Sequence, residues 1–181
     1  MRARPASRAI AWSLLVALST WGLGSCGGVA PARAPQSTDG SGRPAGFGVG
    51  RWRTTSTAGV VVDFCAWEAD GAAQRGRGLM GVTDMGACPA MAFRYDEPVE
   101  QRFYMLGTPM ALSIAWFGAD GGFVSTTDMA PCPPQVAAAA CPRYSSAGPY
   151  TVGVEVPVGG LAALGLVAGA RLERLGDQNG L

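Results

Sequence analysis

The chain has no histidine and no lysine among its 181 residues. Without histidine it lacks the usual general base at neutral pH and the commonest metal ligand. Ser–His–Asp and Cys–His mechanisms are therefore excluded, as are zinc sites built on imidazole. All 14 basic residues are Arg, and three of them (Arg2, Arg4 and Arg8) precede Cys26. The rest of the chain then carries 11 Arg against 13 acidic residues, a net charge of about −2. Nucleic-acid binding needs a basic surface, so that charge argues against a nucleic-acid partner. Long helical patterns are also scarce. The 27 Gly and 13 Pro favour turns and strands instead.

What is present begins with an export signal. Arg2, Arg4 and Arg8 form a positive start, and Ala9 to Leu23 is mostly apolar. That stretch suits the apolar region of a signal peptide better than a membrane span, which needs roughly 20 residues. It ends in Leu23-Gly24-Ser25-Cys26, which resembles the lipobox of bacterial lipoproteins. The resemblance implies a diacylglycerol on the Cys26 sulfur and cleavage before Cys26. Two acyl chains anchor stably where one does not, because each buried methylene contributes about 0.8 kcal/mol. The expected partner is thus a membrane, reached through Cys26, and the expected location is the extracytoplasmic cell envelope.

Residues 1–25 read as signal peptide and 26–50 as a flexible Gly/Pro/Ser/Ala tether. Residues 51–175 form the globular domain and 176–181 a tail. The patterns predict strands over Gly59–Trp67, Met91–Tyr95, Phe103–Leu106, Leu112–Phe117, Phe123–Thr127, Tyr150–Val156 and Ala170–Leu175. Ala119-Asp120-Gly121-Gly122 predicts a hairpin turn. A short helix is expected within Glu68–Leu79 and a further turn at Gly160–Leu164. The fold class is mainly β or α+β: one small domain of mostly antiparallel strands with one or two short helices.

Beyond Cys26 stand four cysteines, Cys65, Cys88, Cys132 and Cys141. In an oxidising compartment an even number favours disulfides, with three possible connectivities. The nearest-neighbour pairing is preferred, since Cys132 and Cys141 bracket a Pro/Ala-rich loop. Closing loops of about 24 and about 10 residues contributes roughly 3.4 and 2.7 kcal/mol by chain entropy. No Cys-x-x-Cys is present, and the spacings lack the close pairs of a four-Cys zinc site.

One ordered set of motifs is more specific. Arg77-Gly78-Leu79-Met80 is followed by Met91-Ala92-Phe93, Phe103-Tyr104-Met105-Leu106-Gly107-Thr108 and Leu112-Ser113-Ile114-Ala115-Trp116. Tyr144, Val154-Glu155-Val156 and Gly159-Gly160 come later. The order resembles the bacterial and archaeal family called domain of unknown function 192, over about Gly59 to Leu175. Polar positions depart from its pattern: the Trp, Lys and Asn of the family's central motif are Tyr104, Leu106 and Gly107 here, its Pro is Ala111 and its Asp is Ser113. The resemblance implies a fold and no particular activity.

The candidate ligand-binding residues are Arg77, Tyr104, Thr108, Ser113 and Glu155. Arg75 and Arg77 suit an anion or an acidic neighbour such as Asp84. Glu155 lies in an apolar strand, where a carboxyl is either buried with a raised pKa or alternates out to solvent. Asp63 has the same ambiguity. Met80, Met85, Met91, Met105, Met110 and Met129 read as core filling rather than a copper site. No cofactor and no metal are expected. The expected function is a non-enzymatic binding or accessory module for an envelope protein or small molecule. The alternatives are a carboxylate-dependent enzyme, which needs two close carboxyl groups, and a structural domain with an eroded site.

Overall fold

The architecture was analysed in a computed structural model, which describes residues 44–178. The signal peptide, Cys26 and most of the expected tether lie outside the described residues. One seven-stranded sheet carries the fold, in the order β5-β4-β6-β3-β2-β1-β7. Its strands are β1 (Gly48–Thr55), β2 (Val61–Ala69), β3 (Ala90–Val99), β4 (Leu112–Phe117), β5 (Phe123–Met129), β6 (Tyr150–Pro157) and β7 (Arg171–Asp177). Among the described residues a single α-helix, α1 (Ala72–Arg77), lies between β2 and β3, which are the one parallel pair of strands. All other pairings are antiparallel. No helix among the described residues is long and apolar enough to cross a membrane.

The two edges of the sheet come together. Gly122 forms an antiparallel bridge with Arg171, Phe123 N–H donates to Ala170 O, and Leu172 N–H donates to Gly121 O. The sheet is thereby curled like a barrel, which gives it two cores. Trp52, Phe64, Phe117, Val154, Val156 and Leu172 form one, against small Ala66, Ala90, Ala92 and Ala115. Trp67, Met91, Phe93, Phe103, Ile114 and Trp116 form the other, covered by Leu79, Val82 and Met85 from the connection between β2 and β3. Strand alternation sends successive residues of β3, β4 and β6 into one core and then the other. All six residues of β4 are consequently buried.

Several expectations are corrected. The folded part begins before Arg51: Phe47 and Val49 are buried, and β1 starts inside the expected tether. In β1, Trp52 and Thr54 point inward while the Arg51 side is exposed, an amphipathic alternation hidden in a Gly- and Arg-rich stretch. Phe103–Leu106 is not a strand. It makes only isolated bridges, Phe103 with Tyr144 and Leu106 with Cys132, and then turns at Gly107 with φ of 66°. The short helix does lie within the expected Glu68–Leu79 span, limited to six residues between Gly71 and Gly78, with Glu68 and Ala69 ending β2. At the other end β7 runs on to Asp177, into the expected tail. The predicted turn at 119–122 joins β4 to β5, with Asp120 Oδ1 accepting from Gly122 N–H at 2.9 Å.

Two disulfides join Cys65 to Cys88 and Cys132 to Cys141. The first ties β2 to the start of β3, and the second closes the Pro/Ala-rich loop whose residues 137–140 are exposed. Glu68 is buried in the first core's face and held by Arg174 through two bonds of 2.7 Å, Nε to Oε1 and Nη2 to Oε2. Gly50 allows this: a Cβ there would lie 2.0 Å from Glu68 Oε1. Such a bidentate pair holds its geometry, and breaking a buried pair costs about 3–5 kcal/mol.

Gly50→Ala should therefore destabilise the protein by about 2–4 kcal/mol, the added methyl displacing the Glu68 carboxylate from Arg174. Denaturant unfolding measures this; a loss below about 0.5 kcal/mol would show that the pair is not fixed by this close approach. Reduction of the disulfides should lower the unfolding midpoint further, and alkylation without reductant should modify none of the four cysteines.

Candidate functional site

On the second core's side, a cleft of about 240 Å³ opens between α1, β3, β6 and the segment from Gln101 to Thr108. Glu155 stands in it with 4% of its surface exposed. Register explains that position. Across from Glu155 are Met91 on β3 and Ile114 on β4, both fully buried. Val154 and Val156 point into the other core, as the alternation requires, but the opposite face is covered as well. The expected solvent-facing alternative for Glu155 is therefore excluded by packing. No hydrogen bond or ion pair to Glu155 occurs among the described residues. Burial alone pushes its carboxyl up to about 8.

The helix supplies the cationic side of the cleft. Gln74 Oε1 accepts from the backbone N–H groups of Asp70 and Gly71 at 3.0 and 2.8 Å and starts the helix, while its Nε2 donates to Gly46 O at 2.7 Å. The helix stops at Gly78, whose φ is 45°. A Cβ at Gly78 would lie 3.1 Å from Cζ of Phe93, so this glycine serves both the turn and the close approach of the helix end to β3. That gives the Arg-Gly-Leu-Met sequence a physical reading: Gly78 ends the helix, Leu79 is buried beneath it, and Arg77 and Met80 line the cleft.

Both arginines are pinned. Arg75 Nη1 donates to the carbonyls of Asp70 and Arg94, and its guanidinium lies 4.6 Å from the Tyr95 ring centroid. Arg77 donates to Ala45 O and lies 4.3 Å from the Phe47 ring centroid. Neither pairs with a carboxylate among the described residues. Asp84 instead accepts from Gly86 N–H. Burial holds the Tyr95 phenol above its ordinary value, with the Glu155 charge acting in the same direction and Arg75 against it. Tyr95 packs edge-on to Tyr150, whose hydroxyl donates to Gln101 O at 2.8 Å. Burial raises the Tyr150 phenol too.

Of the sequence-based candidates, the cleft brings together Arg77, Tyr104, Thr108 and Glu155. Ser113 is elsewhere. It pairs with Val156 across β4 and β6, which puts it on the opposite face from Glu155. Its hydroxyl donates to Asp128 at 2.5 Å and accepts from Gly159 N–H at 3.0 Å, ordering the strand end. Asp63 forms an exposed pair with Arg53 at 2.7 Å. Met85, Met91, Met105 and Met129 are buried in the core. Tyr95, Gln101 and Arg102 were not among the expected site residues. Each lines the cleft, brought there by β3 and by the turn after it, and no local pattern marks them.

Residues 53–174 match the family model DUF192, "Uncharacterized ACR". Among solved structures, a protein of unknown function from Novosphingobium aromaticivorans DSM 12444 shares 26% identity with a TM-score of 0.60, covering 78% of this chain and 94% of that one. A protein of Sinorhizobium meliloti 1021, proposed as a transcription regulator, shares the fold at 24% identity and a TM-score of 0.60, covering 71% and 95%. None of the curated proteins matches the chain.

A carboxyl whose folded pKa is raised binds its proton more readily in the folded state. Its contribution to stability is thus present at low pH and lost as pH rises through about 8. Wild-type stability should fall by a few kcal/mol between about pH 5 and about pH 9. Glu155→Gln should flatten that part of the profile; an unchanged decline would assign it to other groups.

Proposed function

The chain belongs to the DUF192 family, and on that premise we propose that it is a lipid-anchored binding module of the cell envelope, taking a small ligand in the cleft over Glu155. The observation that carries this reading is the composition of the cleft. A buried carboxyl stands beside aromatic and cationic side chains, and among the described residues it is the one carboxylate lining the cleft. Concave sites with a few convergent polar groups on an apolar wall are where small molecules bind. Hydrolysis by paired carboxyl groups needs a second acid about 5–9 Å away, and the lining supplies none.

Support for the envelope location comes from the N-terminal sequence and from the two disulfides. Disulfides persist in oxidising compartments. The Arg-flanked apolar stretch ending at Cys26 supplies the address and the anchor.

Two measurements test the proposal. The full chain, expressed in a bacterium and fed radiolabelled palmitate, should take up label and lose it on Cys26→Ser; equal labelling of the variant removes the anchor. Ligand-observed NMR with a library of small polar fragments should give hits on the wild type that Tyr104→Ala and Glu155→Gln weaken by about tenfold, or about 1.4 kcal/mol. A library without a hit displaced by either substitution overturns the cleft as a binding site.

A further inference from the structure

The cleft joins two kinds of charge that no neighbour neutralises. Glu155 is buried within it, and no cationic group contacts it among the described residues. Arg75 and Arg77 border it from the helix, and exposed Arg102 borders it from the segment after β3. None of these three pairs with a carboxylate among the described residues. Between them stand the rings of Phe93, Tyr95, Phe103 and Tyr104. The depth of the groups differs: Glu155 is nearly sealed, the two helix arginines are half-buried and Arg102 faces solvent. The cleft is therefore dipolar, negative when ionised at its inner end and positive towards its mouth.

We infer that the cleft takes a small zwitterion of the α-amino-acid class, its ammonium group against Glu155 and its carboxylate towards the guanidinium groups at the mouth. The inference rests on the reading of the cleft as a ligand site and names what enters it. A simple anion would meet the arginines and leave the buried Glu155 carboxyl without a partner, which is costly. A simple amine would satisfy Glu155 and meet like charge at the mouth. A molecule with both groups answers both ends at once. Size agrees: about 240 Å³ is below the roughly 300–1,000 Å³ of sites for drug-sized molecules.

Binding in this orientation is linked to protons. An ammonium beside Glu155 favours its ionised form, so complex formation releases a proton wherever the unliganded carboxyl is still protonated. Met91, Phe93 and Ile114 carry no titratable group, and the charged and phenolic side chains around the cleft are Arg75, Arg77, Arg102, Tyr95 and Tyr104. Affinity for a zwitterion should therefore rise with pH up to about 8 and fall again where the ligand's own ammonium loses its proton.

The test uses the full chain in detergent. Its thermal unfolding is followed with each of the 20 common L-amino acids in turn, and any that shift it are then titrated by calorimetry. At least one should bind. Its deaminated and its decarboxylated counterparts should each bind about tenfold more weakly or worse. Glu155→Gln should weaken the amino acid by about tenfold and abolish the rise with pH, and should leave the deaminated acid unaffected. Arg102→Ala, at an exposed position that the fold does not need, should weaken binding several-fold and reduce its sensitivity to salt. Two results overturn the inference: no amino acid binds although fragments occupy the cleft, or the deaminated acid binds as tightly as the amino acid with Glu155→Gln unchanged. In either case the cleft stands as a ligand site for another chemistry. Silence from fragments and amino acids alike removes both readings.

Discussion

A curled sheet that meets its own edge leaves both faces of β4, of the first half of β3 and of the second half of β6 covered. The bridge between Gly122 and Arg171 brings the β5 and β7 ends together, and the rest of the arrangement depends on that. Side chains directed to one face fill the space enclosed by the curl, where Ala66, Ala90, Ala92 and Ala115 leave room for Trp52, Phe64 and Phe117. Side chains directed to the other face are covered by α1 and the long connections. Glu68 on β2, Ser113 on β4 and Glu155 on β6 are buried although they do not share a face, and each must find a partner or remain poised for one.

Two carboxylates show the two outcomes. Glu68 meets Arg174 in a two-bond pair made possible by the missing side chain of Gly50. It is a structural clasp between β2 and β7. Glu155 is as deeply buried, and burial by itself raises its pKa. The cleft keeps it within reach of a small molecule, while the guanidinium groups nearest the cleft are occupied with backbone carbonyls and ring faces. The difference between clasp and candidate site lies in the neighbours and not in residue type.

Much of the fold was legible in the sequence because it depends on local chemistry. The β-branched run ending at Trp67, the Leu112–Phe117 strand and the Asp120-Gly121 turn follow from propensity and turn geometry, and the structure places them with shifts of a few residues at the ends. The pairing of neighbouring cysteines also matches. Strand β1 was missed because Gly and Arg mask an alternation whose meaning comes from its two partner strands. The apolar content of Phe103–Leu106 predicts a strand, yet Gly107 and Pro109 leave it no room to extend a ladder.

By itself the sequence determined the strand-rich class, the absence of histidine chemistry, the even set of cysteines beyond Cys26 and the family pattern, since each rests on residue identity or short-range order. Only the tertiary structure decided which candidates form a site. Glu155 and Ser113 are both small polar interruptions of apolar strands, and nothing in their immediate neighbours separates them. The register of β4 against β6 sets Ser113 opposite Val156 and Glu155 opposite Ile114, so the two side chains leave by opposite faces. A period-two pattern records alternation but not phase relative to a distant strand. Phase is fixed by packing across the whole sheet, and that is a property of the folded chain.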